Sequence, residues 1–333
     1  MAAATPSSPG SGPTYALGTI EASEQLIRDL YLDLRVRIRK WATLTKQTAQ
    51  ARMGYVGQHL VSVATGCPGG KSGARGHDLI LPSGAHAEIK TCYRVDQLGQ
   101  CNACKAGLAP METQCSECGS SDVTRRDDSK WLIGIRNADE FEKLTDPALY
   151  YLVLFEFTDF LKPDTISASI WSVDPQTPGF ILCMIDYYLT IRANSKSGAP
   201  FNLWPHSFKF ELMRPVRIYN SIIRPDDTID TRLFPGRDTP QPQGLKSLLL
   251  HASSQALALD VAVAVSAKLG LPAPKAGTKK LALLTLMEAH RQRDKIGAGV
   301  LCDLFTRALY VPRITPHLRT LSPKMRKLVT AEQ

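Results

Sequence analysis

Four of the eight cysteines in this 333-residue chain fall within one 18-residue window, as the pairs Cys101-x-x-Cys104 and Cys115-x-x-Cys118. Two such pairs bring four thiolates to tetrahedral geometry, which selects Zn²⁺ in a closed structural site with no position left for chemistry. The stretch between them is too short for a core of its own, so the metal is expected to fold it. Residues of about 96–125 therefore read as a zinc ribbon inserted into a larger fold. Cys67, Cys92, Cys183 and Cys302 are scattered, and a disulfide framework is not expected in a cytosolic chain of this size.

The ribbon starts eleven residues after Lys90, at the end of the stretch GHDLILPSGAHAEIKT from Gly76 to Thr91. Two short apolar runs flank Pro82-Ser83-Gly84, the signature of a hairpin. Glu88 and Lys90 then share one face of the second strand while Ile89 points the other way. Pairing around the turn brings Asp78 opposite the Glu88 end. Two carboxylates beside an ammonium suit Mg²⁺-dependent phosphodiester hydrolysis: Mg²⁺ takes one or two carboxylates plus substrate phosphate, and lysine can orient or deprotonate water. Ordinary surface charges on an edge strand give the same pattern.

The order Asp78, turn, Glu88-Ile89-Lys90 resembles the PD-(D/E)xK nuclease superfamily, and residues 23–135 resemble type II restriction endonucleases of the MamI type, with His77-Asp78 standing for Pro-Asp. The resemblance implies a restriction-endonuclease-like α/β fold with a mixed-sheet core. It implies Mg²⁺ on Asp78, Glu88 and the Ile89 carbonyl, Lys90 acting on the attacking water, and a homodimer on double-stranded DNA. The zinc ribbon is not general to the superfamily. Gln58 stands where a helix ahead of the hairpin often supplies a further acid, so a second strong metal site is in doubt. Lys71 and Arg75, in the small-residue loop before Asp78, are candidates for phosphate contacts.

The rest of the chain is read as support for that core. Residues 1–22, rich in Ala, Pro, Ser and Gly, are expected to be a disordered tail. A helix is expected from a Ser23 cap to about Gln50, and a second from near Tyr55 to Gly66. Tyr150–Phe157 is almost wholly apolar, as a strand buried on both faces would be. A helical crossover is expected near 138–144, and further strands at Ile166–Val173 and Phe180–Asp186. Residues 190–243 read as loops and linker, closing a nuclease core over 23–243.

From 244 to 333 the pattern is helical and basic. Twelve Lys or Arg after Gly270 face four acids, in a chain whose net charge is +9, which suggests a polyanion partner. Val311–Ile314 reads as a Pro-containing turn, Thr315 as an N-cap and Pro316 as the first residue of a last helix. Together they resemble a helix-turn-helix or winged-helix DNA reader. Arg313, His317 and Arg319 are placed toward bases, Lys324 and Lys327 toward phosphates. No apolar run reaches the ~18 residues needed to span a bilayer, and the N-terminus lacks a signal-peptide pattern, so a bacterial cytoplasmic protein is expected. Two other readings fit: a non-enzymatic zinc-ribbon nucleic-acid-binding protein, and a repair or junction nuclease with the same core.

Overall fold

The computed structural model describes residues 15–45, 53–70, 78–108, 112–125, 128–159, 164–195, 200–234, 242–254 and 257–330. Most of the expected tail (1–14), Gln50, Lys71 and Arg75 lie outside the described residues.

The described chain enters as a helix. Thr19 caps it by accepting from the Ala22 N–H, and α1 (Ile20–Ile27) passes through a π-helical turn (Arg28–Asp33) into α2 (Leu34–Thr45). Ser23 is not the cap: it is buried inside the first turn and its hydroxyl donates to the Ile20 carbonyl. α3 (Gly54–Thr65) stops at Gly66, whose φ of +72° ends a helix at little cost.

The central sheet is built from β1 (Leu79–Ile80), β2 (His86–Tyr93), β7 (Leu149–Phe157), β8 (Ile166–Val173), β10 (Val216–Ile223) and β11 (Ile229–Leu233), in the order β1-β2-β7-β8-β10-β11. Only β2 and β7 run parallel. The long connection that a parallel pair requires holds the ribbon strands β3 (Gly99–Cys101), β4 (Gly107–Leu108) and β5 (Val123–Arg125). It then passes through β6 (Trp131–Ile133) and the short helix α4 (Ala138–Glu142). β6 pairs with β9 (Phe201–Leu203) in a separate two-stranded sheet.

β7 is the strand buried on both faces. Tyr150, Leu152 and Leu154 enter one core; Tyr151, Val153, Phe155 and Phe157 enter another. The second core is closed by α1 and α3, through Ile27, Val56 and Leu60, and by Tyr31 of the π-helical turn. α3 sits so close to β2 that a Cβ on Gly57 would lie 2.0 Å from Thr91 Oγ1. The first core is closed by α5 (Pro178–Tyr187), α6 (Phe208–Leu212), α7 (Pro242–Ser254), α8 (Leu259–Lys268), α9 (Lys280–Asp294), α10 (Ala298–Ile314) and α11 (Pro323–Thr330). The result is a mixed α/β architecture with helices on both faces of the sheet.

Three expected elements differ. Phe180–Asp186 is not a strand but the middle of α5: Thr177 caps it through the Phe180 N–H, Pro178 opens it, and every residue of the helix is buried. A helix buried all round carries no polar stripe, so its sequence looks like a buried strand. Residues 190–243 hold β9, α6 and the β10–β11 hairpin besides loops. β10, between Pro215 and Pro225, has no clean apolar–polar alternation: Ser221 is buried, Ile222 is half-exposed, and the ladder shifts register between Arg217 and Tyr219. Finally, Val311–Ile314 is no turn: α10 runs through Pro312 to Ile314. Tyr310 and Ile314, four apart, are each at most 1% exposed. Keeping both on the core offsets the bond that proline forfeits. The last helix consequently starts at Pro323, and His317 and Arg319 lie on a 3₁₀ segment, Thr315–Thr320.

Candidate active site and metal centre

The register of the first hairpin pairs Leu79 with Ala87 and Ile80 with His86. Gly84, at φ +79°, lets its N–H reach the Leu81 carbonyl and close the turn. One step beyond the ladder Asp78 meets Glu88. There the Asp78 carboxylate replaces a ladder carbonyl: its Oδ2 accepts from the Ile89 N–H at 2.8 Å. Its Oδ1 accepts from Gln58 Nε2, on α3, at 2.9 Å. A strand residue directs its N–H and C=O to the same edge, so the Ile89 carbonyl faces the side on which Asp78 is held.

Alternation separates the rest. Ile89 is buried in the second core, while Glu88 and Lys90 project to the opposite side, partly exposed and ion-paired with each other. Across the parallel ladder Glu88 lies beside Tyr150, whose hydroxyl donates to the Leu144 carbonyl. Burial first, and then the nearby Glu88 charge, pushes that phenol far above its ordinary value. Tyr150 is a neutral wall, and Lys90 is the cation that answers Glu88.

The face of β2 that carries Glu88 and Lys90 continues through Cys92, and Arg94 follows just past the strand, at the start of a 3₁₀ turn (Arg94–Asp96). Arg94 reaches Glu156 Oε2 at 3.3 Å, and His206 Nε2 lies 2.7 Å from Glu156 Oε1. Burial raises the Glu156 carboxyl, but the His206 and Arg94 contacts outweigh it, and the pKa ends below the ordinary carboxylate value.

The four ribbon cysteines come together. Their sulfurs all lie within 4.8 Å of one another, with Cys101–Cys118 at 3.6 Å and Cys104–Cys115 at 3.5 Å. A tetrahedral shell with Zn–S bonds of about 2.3 Å needs sulfurs roughly 3.8 Å apart, so the donor set fits. Each knuckle turns on a residue of positive φ just after its second cysteine: Lys105 (+65°) and Gly119 (+71°). Gly107, by contrast, lies in β4. Cys101, Leu108 and Cys115 form a small core of their own.

The C-terminal cations do not form one cluster. Arg313 Nε lies 2.9 Å from Asp186, a carboxylate only 7% exposed on α5. Lys324 Nζ donates to the Glu142 carbonyl and pairs with Asp146 at 3.1 Å. His317, Arg319 and Lys327 are exposed. No helix among the described residues is long and apolar enough to cross a membrane.

A family model described as MamI restriction endonuclease matches residues 40–253, a span holding Asp78, Glu88, Lys90 and all four ribbon cysteines. The type II restriction enzyme MamI of Microbacterium ammoniaphilum is 28% identical over 192 residues, covering 56% of this chain and 55% of that protein. The match thus spans about half the length of this curated relative. No solved structure matches. With the family model covering well over half of its length, the chain belongs to the MamI restriction endonuclease family.

Proposed function

We propose that this protein is a Mg²⁺-dependent, sequence-specific endonuclease that hydrolyses phosphodiester bonds in double-stranded DNA, built on a PD-(D/E)xK core. The observation that carries the reading is the anchoring of Asp78. Its carboxylate is fixed by the Ile89 N–H and Gln58 at the position opposite Glu88, on the edge that the Ile89 carbonyl faces. Two carboxylates and a carbonyl from adjacent strands are the hard oxygen donors that Mg²⁺ prefers. A bound Mg²⁺ would lower the pKa of a water and neutralise phosphate charge. Lys90 would hold or take the proton of the attacking water, and with Glu88 serving as a metal ligand the Glu88–Lys90 ion pair would no longer tie up the lysine. Gln58 orients Asp78 without adding charge, which favours a single strong metal ion.

In this reading Zn²⁺ on Cys101, Cys104, Cys115 and Cys118 is structural. Exposed His317, Arg319 and Lys327 approach DNA, along with Lys71 and Arg75, while Arg313 and Lys324 chiefly tie their helices to the nuclease core. The chain acts as a homodimer on a near-palindromic site. The test is incubation of plasmid with protein in Mg²⁺ or in EDTA. Discrete fragments in Mg²⁺ alone are expected. A mobility shift without cutting would favour a DNA-binding protein, and a smear a structure-guided nuclease.

A further inference from the structure

The helical run from α1 through the π-helical turn to α2 divides by charge. Its first half carries Glu21, Glu24, Asp29 and Asp33 against one base, Arg28, which donates to the Asp227 carbonyl at 2.9 Å. α2 has no acid and carries Arg35, Arg37, Arg39 and Lys40. On the inner side Leu26, Leu32 and Leu34 pack against the second core. Arg35 ties the start of α2 down, donating to the Tyr31 hydroxyl at 2.6 Å and pairing with Asp96 at 3.7 Å.

The outer side is one stripe, exposed at steps of three and four residues. Its charges run in order, Asp29 and Asp33 and then Arg37 and Lys40. Apolar side chains share the stripe: Val36, Trp41 and Leu44 are 71%, 63% and 74% exposed, and Leu30 stands beside Asp29. A helix ordinarily turns such residues to a core, and an apolar patch with a charged rim marks a contact surface. At the acidic end a groove of about 270 Å³ opens between Tyr15, Leu17, Leu26, Asp29 and Leu30. Asp29 there accepts from Gln25 Nε2 at 2.7 Å.

We propose that two copies of the chain meet on this stripe, their helical runs packed antiparallel about a twofold axis at the level of Arg35. The proposal rests on the homodimer of the preceding reading and says which surface makes it. A twofold contact sets one patch against itself, so facing positions mirror one another about Arg35. Arg37 then faces the partner's Asp33, and Leu44 the partner's Leu26. Lys40 comes to the partner's Leu30 with the carboxylate of the partner's Asp29 beside it. Trp41 meets the mouth of the partner's groove, where an indole can bury its apolar body and donate its N–H to a carboxylate. Every contact occurs twice. A second copy therefore answers both halves of the stripe at once. DNA would be drawn to α2 but repelled by Asp29 and Asp33, and it offers no apolar cover to Val36 or Leu44. From Leu26 to Leu44 is about 27 Å of helix, a small interface, so the dimer should dissociate within an accessible concentration range.

The test is sedimentation equilibrium of the full chain without DNA over a range of protein concentrations, with thermal melts to establish that each variant is folded. Wild type is expected to show a monomer–dimer equilibrium. Trp41→Ala, lost twice per dimer, should raise the dissociation constant about a hundredfold. Asp33→Arg and Arg37→Asp should each leave monomers, because each sets like charges across the axis. Mixed in equal amounts, these two chains should recover the dimer, since they are complementary at both crossings. A defect within one helix would not be repaired by mixing. If wild type dimerises while the variants match its dissociation constant, or while the mixture stays monomeric, this interface is wrong and the homodimer stands. If wild type is monomeric throughout yet cuts plasmid into discrete fragments, the endonuclease reading survives and the homodimer falls together with the interface. A monomeric wild type whose duplex binding is weakened by Arg37→Asp would make α2 a DNA contact instead.

Discussion

At the scale of the residue, the proposed site rests on three side chains whose mutual placement is almost wholly legible in the sequence. Alternation alone assigns Glu88 and Lys90 to one face, and the Pro-Ser-Gly turn fixes the register that returns Asp78 to them. What sequence could not give is the anchor: that an N–H of β2 and an amide from α3 hold Asp78 depends on a strand end and a helix approach. Asp78→Ala, Glu88→Ala and Lys90→Ala should each abolish plasmid cleavage and leave duplex binding and thermal stability nearly intact. Because such groups act as a unit, the double variants should lose no more than the singles. Near-wild-type cutting by Lys90→Ala and Glu88→Ala would end the assignment. Gln58→Ala should be milder, raising the Mg²⁺ concentration needed for half-maximal rate as Asp78 loses one of its two fixings.

Glu156 gives a pH signature separate from activity. Its pKa in the folded protein is depressed, so its contribution to stability is present above the unfolded value of about 4.3 and is lost as pH falls through the lower folded value. Wild type should lose stability on acidification below that value, and Glu156→Gln should lose less of it. Denaturant midpoints measured down the acid range would decide this; parallel curves would mean that the His206 and Arg94 contacts are not felt.

At the scale of the element, the four-cysteine ribbon shows how far spacing reaches. Four cysteine positions were enough to draw the site, and the sulfurs do converge. The two knuckles nevertheless solve the same turn with different residues. Gly119 takes positive φ freely, whereas Lys105 does so with a Cβ. Lys105→Gly should be neutral or stabilise by roughly 1 kcal/mol, and Lys105→Val should destabilise by more, since β-branched residues resist that region. Elemental analysis should find one zinc per chain, and Cys115→Ser should lose it together with soluble yield. Elsewhere, local pattern misled where tertiary burial won. α5 has no polar face because α6, α10 and α11 pack around it and Phe180 meets Tyr150 of β7. Pro312 stays within α10 because Tyr310 and Ile314 both belong to the core. β10 is not legible as a strand because Ser221 is buried, Ile222 faces the half-exposed side and a register shift falls between Arg217 and Tyr219, which together break the period of two.

At the scale of the whole molecule, composition suggests a break at 243–244, where a Pro- and Arg-rich stretch gives way to helices. The packing is continuous across it. Leu248, Leu249, Ala252, Leu283, Met287, Phe305 and Ile314 belong to the same cluster as Leu152, Leu154 and Phe180. Each fully buried Leu, Met or Phe is worth about 1.5–3 kcal/mol relative to exposure, and a domain's net stability is only about 5–15 kcal/mol. Removing α7 to α11 strips this cluster of most of its helices and leaves the buried surfaces of α5 and α6 uncovered. A chain ending at Gln243 should therefore fail to fold, appearing as aggregate or as a species without a cooperative melt. Loss of cutting by that truncation would then say nothing about where DNA is read, and only point variants can divide the candidates. Arg319→Ala and Lys327→Ala, on the exposed 3₁₀ segment and α11, should lower affinity for all duplexes and flatten its salt dependence. If Arg319→Ala instead selectively lost the cleavable duplex, the C-terminal segment would be contacting bases rather than phosphates alone.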